Sequence, residues 1–196
     1  MIYGRKWHEY AEQWDRMVIK NDRKKEFEKI AEYALYNRQR YLVIEENTGV
    51  PWSMIACIHK RESNAQDKDG NPLFTSYLGN GQPLNRKTTI VPKGRGPFNS
   101  FEEGAVDALR YDKLTNVKEW RLEKVLYYLE IFNGTGYDMR GLPAPYLWGG
   151  TNIQKAGKYV SDGPKGWRSN VWDKQPGCAP ILKLIFQSDN EIKRED

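Results

Sequence analysis

Residues 52–63, WSMIACIHKRES, constrain this chain more than any other stretch: they read as an apolar helix that ends on one carboxylate, Glu62. Ile55 and Ile58 lie seven and four residues before Glu62, on its helical face, and His59 lies three before it. The stripe that buries the isoleucines therefore carries the carboxyl to the edge of the core. Ionising a carboxyl there is costly, so its pKa should rise. A carboxylic acid kept protonated near neutral pH is equipped to act as a general acid. An ordinary exposed residue in a last helical turn is the plain alternative.

The remainder of the chain sets bounds. Its 196 residues suit one domain, or one domain with an arm, and can bury a core without staples. Hydrophobic residues make up 39% and charged residues 29%, a globular balance. Seven Trp and 12 Tyr supply flat faces with polar handles, suited to sugar rings and nucleobases as well as to cores. The net charge of +5 draws the protein toward polyanions without choosing among nucleic acid, an anionic membrane surface and the bacterial cell wall. Cys57 sits within the apolar helix as a small core residue, far in sequence from Cys178. With no CxxC and only His8 and His59, no metal site and no cofactor are expected. The N-terminal MIYGRKWHEYAEQWDRM has no signal-peptide core, and no apolar run is long enough to span a bilayer. Synthesis in the cytoplasm is expected, with any action outside depending on export or release.

Helical spacing joins Tyr3, Trp7, Tyr10, Ala11, Trp14, Met17 and Val18, and then Phe27, Ile30, Ala31, Ala34 and Leu35. These predict two helices in an N-terminal arm, residues 1–40, packed on or extending a domain of residues 41–196. A further helical piece covers Arg40 to Glu46 and stops at Asn47-Thr48-Gly49; Pro51 suits the opening turn of the Trp52 helix. From Ser63 to Asn99 the chain is punctuated by DKDGNP, GNGQP and PKGRGP, with β-prone pieces at 73–78 and 88–91. That predicts turns with a small hairpin or long ordered loops, a texture usually kept for function. Ser100-Phe101-Glu102-Glu103 fits a capping box that starts another helix. Asn116 to Glu119 cap the next, which ends at Asn133-Gly134. Residues 135–177 are loop-rich, a short helix covers 179–187, and a charged tail follows. The fold class is therefore α+β, mainly α: a helical body with a small β/loop insertion, and between them a substrate cleft with Glu62 at its floor.

Three blocks, PWSMIACIHKRES, LEIFNGTGY and PYLWGGTNIQKAGKYVSDG, together with the loop SYLGNGQPLNRKTTIVPKGRGPF, follow one another in this order. In that order the chain resembles the lysozyme superfamily, and in detail its phage-endolysin and lytic-transglycosylase members, over roughly residues 42–163. The first block resembles the helix that ends in the catalytic Glu-Ser pair, here Glu62-Ser63. The second resembles a Tyr-Asn-Ala-Gly block, but Phe132 stands where Tyr is usual and no Ala separates Asn133 from Gly134. The third resembles a late Tyr-bearing block. The resemblance implies a lysozyme-like fold and cleavage of peptidoglycan glycan strands between N-acetylmuramic acid and N-acetylglucosamine. Glu62 would protonate the leaving oxygen. Hydrolysis and the transglycosylase route, in which the muramic acid C6 hydroxyl attacks, both remain open. It implies peptidoglycan as partner, a monomeric protein and action on the wall after release from the cytoplasm.

A hydrolase needs a second group. Asp67, Asp69 and Asp138 are carboxylates within reach of the pattern, and Glu62, Asp69 and Thr75 loosely echo a Glu-Asp-Thr order with too short a first gap. Asp69-Gly70 reads equally as a plain turn. Thr88 and Thr89 either present hydroxyls to a water or sugar or follow β propensity. Candidate substrate-binding residues are Ser63, Gln82, Asn133, Tyr137, Tyr146, Trp148 and Tyr159, with the aromatic rings stacking on sugars. The bland alternatives are a loop-rich core and, for Asn80-Gly81, a turn. His59 orients Glu62 or is structural. Two other functions compete. A nucleic-acid binder would use the charge and aromatics, but basic and acidic residues are interleaved and no RNA-binding or helix-turn-helix pattern occurs, so nucleic acid is not expected as partner. A non-catalytic wall-binding module on the same scaffold is the other. The arm's Arg5, Lys6, Arg16, Lys20, Arg23, Lys24 and Lys25 suggest either a solvated face or contact with anionic membrane or lipopolysaccharide.

Overall fold

The computed structural model describes residues 7–161 and 163–189. Tyr3, Arg5 and Lys6 of the predicted arm, and the charged tail 190–196, lie outside the described residues. The described chain is mainly helical: α1 (Trp7–Arg16), α2 (Lys24–Tyr36), α3 (Arg38–Thr48), α4 (Trp52–Glu62), α5 (Phe101–Tyr111), α6 (Leu122–Asn133), α7 (Pro145–Trp148) and α8 (Cys178–Asp189). None is long and apolar enough to cross a membrane.

The core forms around α4. Trp52, Met54, Ile55, Ala56, Cys57 and Ile58 are all buried, because this helix packs against α3 and α8 and also meets α2 and α6. Each large apolar side chain here contributes roughly 1.5–3 kcal/mol on leaving water. The turn before α4 is set by Gly49, whose φ of 71° caps α3, and by Pro51, which stands just outside α4 rather than within its first turn. The two cysteines, 121 residues apart, meet where α4 crosses α8: the buried Cys57 thiol donates to the Cys178 carbonyl.

The N-terminal helices share this core. Tyr10, Trp14 and Met17 belong to the same buried cluster as Ile55 and Leu182, with α1 on α6 and α2 on α8. Several cations of the arm are used within the chain. Lys20 sits 4.7 Å above the Trp172 ring, and Arg23 pairs with Glu26 and donates to the Lys174 carbonyl.

The β content lies elsewhere than expected. Residues 73–78 and 88–91 form no strand. Residues 63–99 are ordered turns with two isolated bridges, Gln66↔Pro72 and Ser76↔Pro83. The two-stranded antiparallel sheet is instead β1 (Lys158–Tyr159) with β2 (Trp167–Arg168). The insertion holds its shape through side chains. Asp107 on α5 accepts from the Tyr77 hydroxyl at 3.0 Å and from Arg95 Nε at 2.9 Å, tying both ends of the loop to the helix. Ser100 caps α5 as predicted, accepting from Glu103 N, but the Glu103 carboxylate reaches back to Asn99 N rather than to Ser100 N. Helix α6 begins at Leu122, beyond the predicted cap at 116–119.

Candidate active site

Glu62 is the last residue of α4, and its side chain is half-buried at the end of the apolar stripe. The Tyr146 hydroxyl donates to Glu62 Oε1 at 3.1 Å. Tyr146 is itself 2% exposed on α7, so the hydroxyl is fixed by the core that holds its ring. Burial raises the Glu62 pKa; the Tyr146 hydrogen bond and the Arg61 charge pull it back, and the charge of Asp112 pushes it further up. Desolvation dominates, so the carboxyl holds its proton above the ordinary range. Arg61 supports the pair from behind. Its guanidinium lies 4.6 Å above the Tyr146 ring, donates to the Pro176 carbonyl at 3.2 Å and stands 4.0 Å from Asp173.

The loop passes close to the backbone of Glu62. Gly81 has a φ of 70°, and a Cβ there would collide with the Glu62 carbonyl and the Asn64 side chain. Only glycine lets the insertion lie against the end of α4. Beyond that contact is a cavity of about 790 Å³ between the insertion and α3 and α5, with Phe74, Phe98 and Phe101 apolar and Asn64, Asn85 and Asn99 polar in its wall. Thr75 and Gln82 also line it. Its lining takes in Asn64 and Ala65 but stops short of the Glu62 side chain, so the expected cleft opens beside the acid rather than upon it.

The other predicted residues sort by geometry. Trp148 is wholly buried and packs in the core; it offers no face to a sugar. Tyr146 touches the acid, not an open surface. Ser63 is buried, with its hydroxyl donated to the Ala65 carbonyl. Thr88 is buried and spends its hydroxyl on the loop, donating to the Pro92 carbonyl and accepting from Arg95 N. Gln82 is also a brace: its carbonyl accepts from Thr89 N and Ile90 N, and its amide donates to the Thr89 hydroxyl. Asn133 is exposed at the end of α6. Tyr137 and Tyr159 do meet, edge to face at 5.5 Å, but Trp167 closes the cluster and Arg140 covers it, 4.3 Å above Trp167 and bonded to the Tyr159 hydroxyl. Their faces are occupied by one another. Asp69 lies in a turn built on Asp67, whose carboxylate accepts from Asp69 N and Asn71 N, and it lines a groove with Lys60 and Lys174.

His59 is structural. It is 1% exposed, with its ring tilted against those of Phe74 and Phe101 at 4.7 and 4.3 Å. Its Nε2–H donates to the Leu73 carbonyl while Nδ1 accepts from the Tyr41 hydroxyl, and burial pushes its pKa down to about 4. Three relevant residues escaped the sequence reading: Arg61, Asp173 and Asp112. Arg61 is next to the acid and could have been found by adjacency. Asp112, just past the end of α5, is the carboxylate whose charge bears on Glu62, and its own pKa is raised to about 6 by desolvation even though the residue is exposed. Nothing in its local sequence marks it. No group of His, Cys, Asp and Glu that could hold a metal ion occurs among the described residues.

No protein-family model matches this chain, nor does any curated protein or solved structure.

Proposed function

We propose that this chain cleaves the glycan strands of peptidoglycan between N-acetylmuramic acid and N-acetylglucosamine, with Glu62 as general acid. The observation that carries the reading is the half-buried Glu62 carboxyl, raised in pKa and oriented by the Tyr146 hydroxyl. A protonated carboxyl fixed at the end of a rigid helix meets what protonation of a leaving glycosidic oxygen requires. The order of acid-bearing helix, ordered insertion and further helices fits a lysozyme-like fold, and the motif order in the sequence favours the same class. On this reading the protein is a wall-lysing enzyme of the phage-endolysin type that reaches its substrate after release.

The second group separates the two routes. Thr88 is committed to the loop, and Asp69 belongs to the turn on Asp67, which favours a mechanism without a second catalytic carboxylate from that region. Cleavage by the substrate's own C6 hydroxyl, giving anhydro ends, is therefore the specific alternative. Mass spectrometry of soluble products from purified peptidoglycan, digested by the wild type and by Glu62→Gln, tests both. Reducing ends that vanish in the variant indicate a hydrolase; anhydro ends that vanish indicate a transglycosylase. No glycan cleavage by the wild type overturns the proposal and leaves a wall-binding module.

A further inference from the structure

A second groove, of about 700 Å³, lies between α2, the C-terminal end of α4 and the turn at 67–71. Four lysines line it: Lys25 and Lys29 from α2, Lys60 from α4, and Lys174. None of the four forms an ion pair among the described residues. Lys60 is half-buried, and its ammonium donates to the Gly70 carbonyl. Arg61 also lines the groove; its side chain is 5% exposed, and its Nε is buried without a hydrogen-bond partner. Two acids share the lining, Glu26 and Asp69. Glu26 is engaged by Arg23, and Asp69 is exposed.

Five cations and two acids line the groove: Lys60 is half-buried, the Arg61 side chain is buried and stands 4.0 Å from Asp173, and Lys25, Lys29 and Lys174 are exposed around them. Like charges gathered in one groove repel, and loss of water weighs against the Lys60 ammonium: burial lowers its pKa, and the charges of Glu26 and Asp67 offset only part of that effect. An unpaired N–H on a buried guanidinium adds a further unmet donor. A bound anion would relieve both costs at once.

We propose that this groove is a binding site for a multiply charged anion that presents carboxylate or phosphate groups. Lys29 and Lys174 gather it from the rim, and Lys60 and Arg61 receive it at the floor. The site stands apart from any chemistry at Glu62, although Arg61 belongs to both. An anion held there sits one residue from the acid and against the guanidinium that stacks on Tyr146. Two sources carry this chemistry: anionic groups along a wall polymer, or a small free anion.

The test is an NMR titration of the full chain at low salt with inorganic phosphate, with triglutamate and with soluble peptidoglycan fragments. Saturable shifts are expected at the Lys60 and Arg61 amides, weakened at least tenfold in a Lys29→Gln, Lys174→Gln double variant whose melting is unchanged. Fragments binding at least tenfold more tightly than phosphate assign the wall as source; phosphate binding as tightly assigns a small anion. Absence of saturable shifts with all three probes, or equal affinity in the double variant, overturns the site. Because the readout is binding, an enzyme inactive on glycan would leave this result intact.

Discussion

The Tyr146 hydroxyl and Glu62 Oε1 meet at 3.1 Å across 84 residues of chain. This bond ties the end of α4 to the short helix α7 and gives the carboxyl a fixed direction. It also stabilises the ionised form, against the larger effect of burial. Tyr146→Phe should therefore raise the Glu62 pKa further. A general acid works only while protonated, so the alkaline limb of the kcat/KM profile should move to higher pH in this variant. Where Glu62 is ionised, stability should fall by about 1.5–3 kcal/mol, the worth of one hydrogen bond to a charged group. NMR titration of the Glu62 carboxyl alongside the pH–rate profile checks both.

Glu62→Gln should separate function from stability. Gln can still accept from Tyr146, so the local structure persists. The folded state raises the carboxyl's pKa, so wild-type stability falls as pH rises from the ordinary Glu range through the folded value. At pH 7 the variant is free of that cost. Its unfolding free energy should exceed wild type, by about 0.5–2 kcal/mol as is common when a destabilised site residue is neutralised. Glycan cleavage should fall at least about a hundredfold. A fully active variant would remove Glu62 from the chemistry.

Much of this architecture could be read from the residues. Apolar periodicity located α2 to α6, Gly49 and Asn133-Gly134 marked two helix ends, and Ser100 marked a start. The i, i+4 and i, i+7 spacing put the Glu62 carboxyl at the edge of the core, against an exposed last-turn residue as the alternative, and it is half-buried. What was illegible depends on partners distant in sequence. Trp148 and Tyr159 look alike as exposed-loop aromatics, yet one is core and the other is closed by Arg140, because the loops fold onto α8 and onto one another. The β-prone 73–78 stretch forms no strand: Tyr77 N bonds to the Gln82 carbonyl and Leu84 N to the Thr75 carbonyl, but the pairing stops at the single Ser76↔Pro83 bridge, where Pro83 has no N–H to extend a ladder. Asp112 carries no local signal, because its influence arises only when the turn after α5 brings its charge to bear on the end of α4.

Asp112 offers a charge test. It is a like charge on Glu62, so Asp112→Asn should lower the Glu62 pKa and draw the alkaline limb of activity downward. Its own pKa stands at about 6, so below that value Asp112 is largely neutral and the variant should match wild type. The difference should emerge only above about pH 6. Titration curves of Glu62 that coincide at every pH would show that the two carboxyls do not interact.

His59 sets an opposing dependence on acidity. It is buried neutral, with a folded pKa of about 4 against an ordinary value near 6.5. Between those values the unfolded chain binds the proton and the folded chain does not, so stability should decline as pH falls from about 6.5 to 4. The decline should reach about 3 kcal/mol from this residue. Glu62 acts the other way in the same window, gaining stability on acidification. His59→Gln keeps a donor for the Leu73 carbonyl and an acceptor for the Tyr41 hydroxyl. Urea unfolding of both proteins from pH 7 to 4 should show a flatter curve for the variant.

The two threonines of the insertion should part company. Thr88 is 4% exposed and holds Arg95 N and the Pro92 carbonyl together, closing the loop whose Arg95 then reaches Asp107. Thr88→Val leaves both backbone groups unmet and should cost about 1–3 kcal/mol, felt locally as faster hydrogen exchange and proteolysis within residues 88–97. Thr88→Ser keeps the hydroxyl and should recover most of that loss. Thr89 is exposed and its hydroxyl accepts from the Gln82 amide, while its backbone N–H donates to the Gln82 carbonyl whatever the side chain, so Thr89→Val should change stability by about 0.5 kcal/mol or less. Thr88→Val should leave the chemical step near wild type at temperatures where the loop stays closed. A large fall in kcat for Thr88→Val with exchange unchanged would instead place its hydroxyl in the reaction.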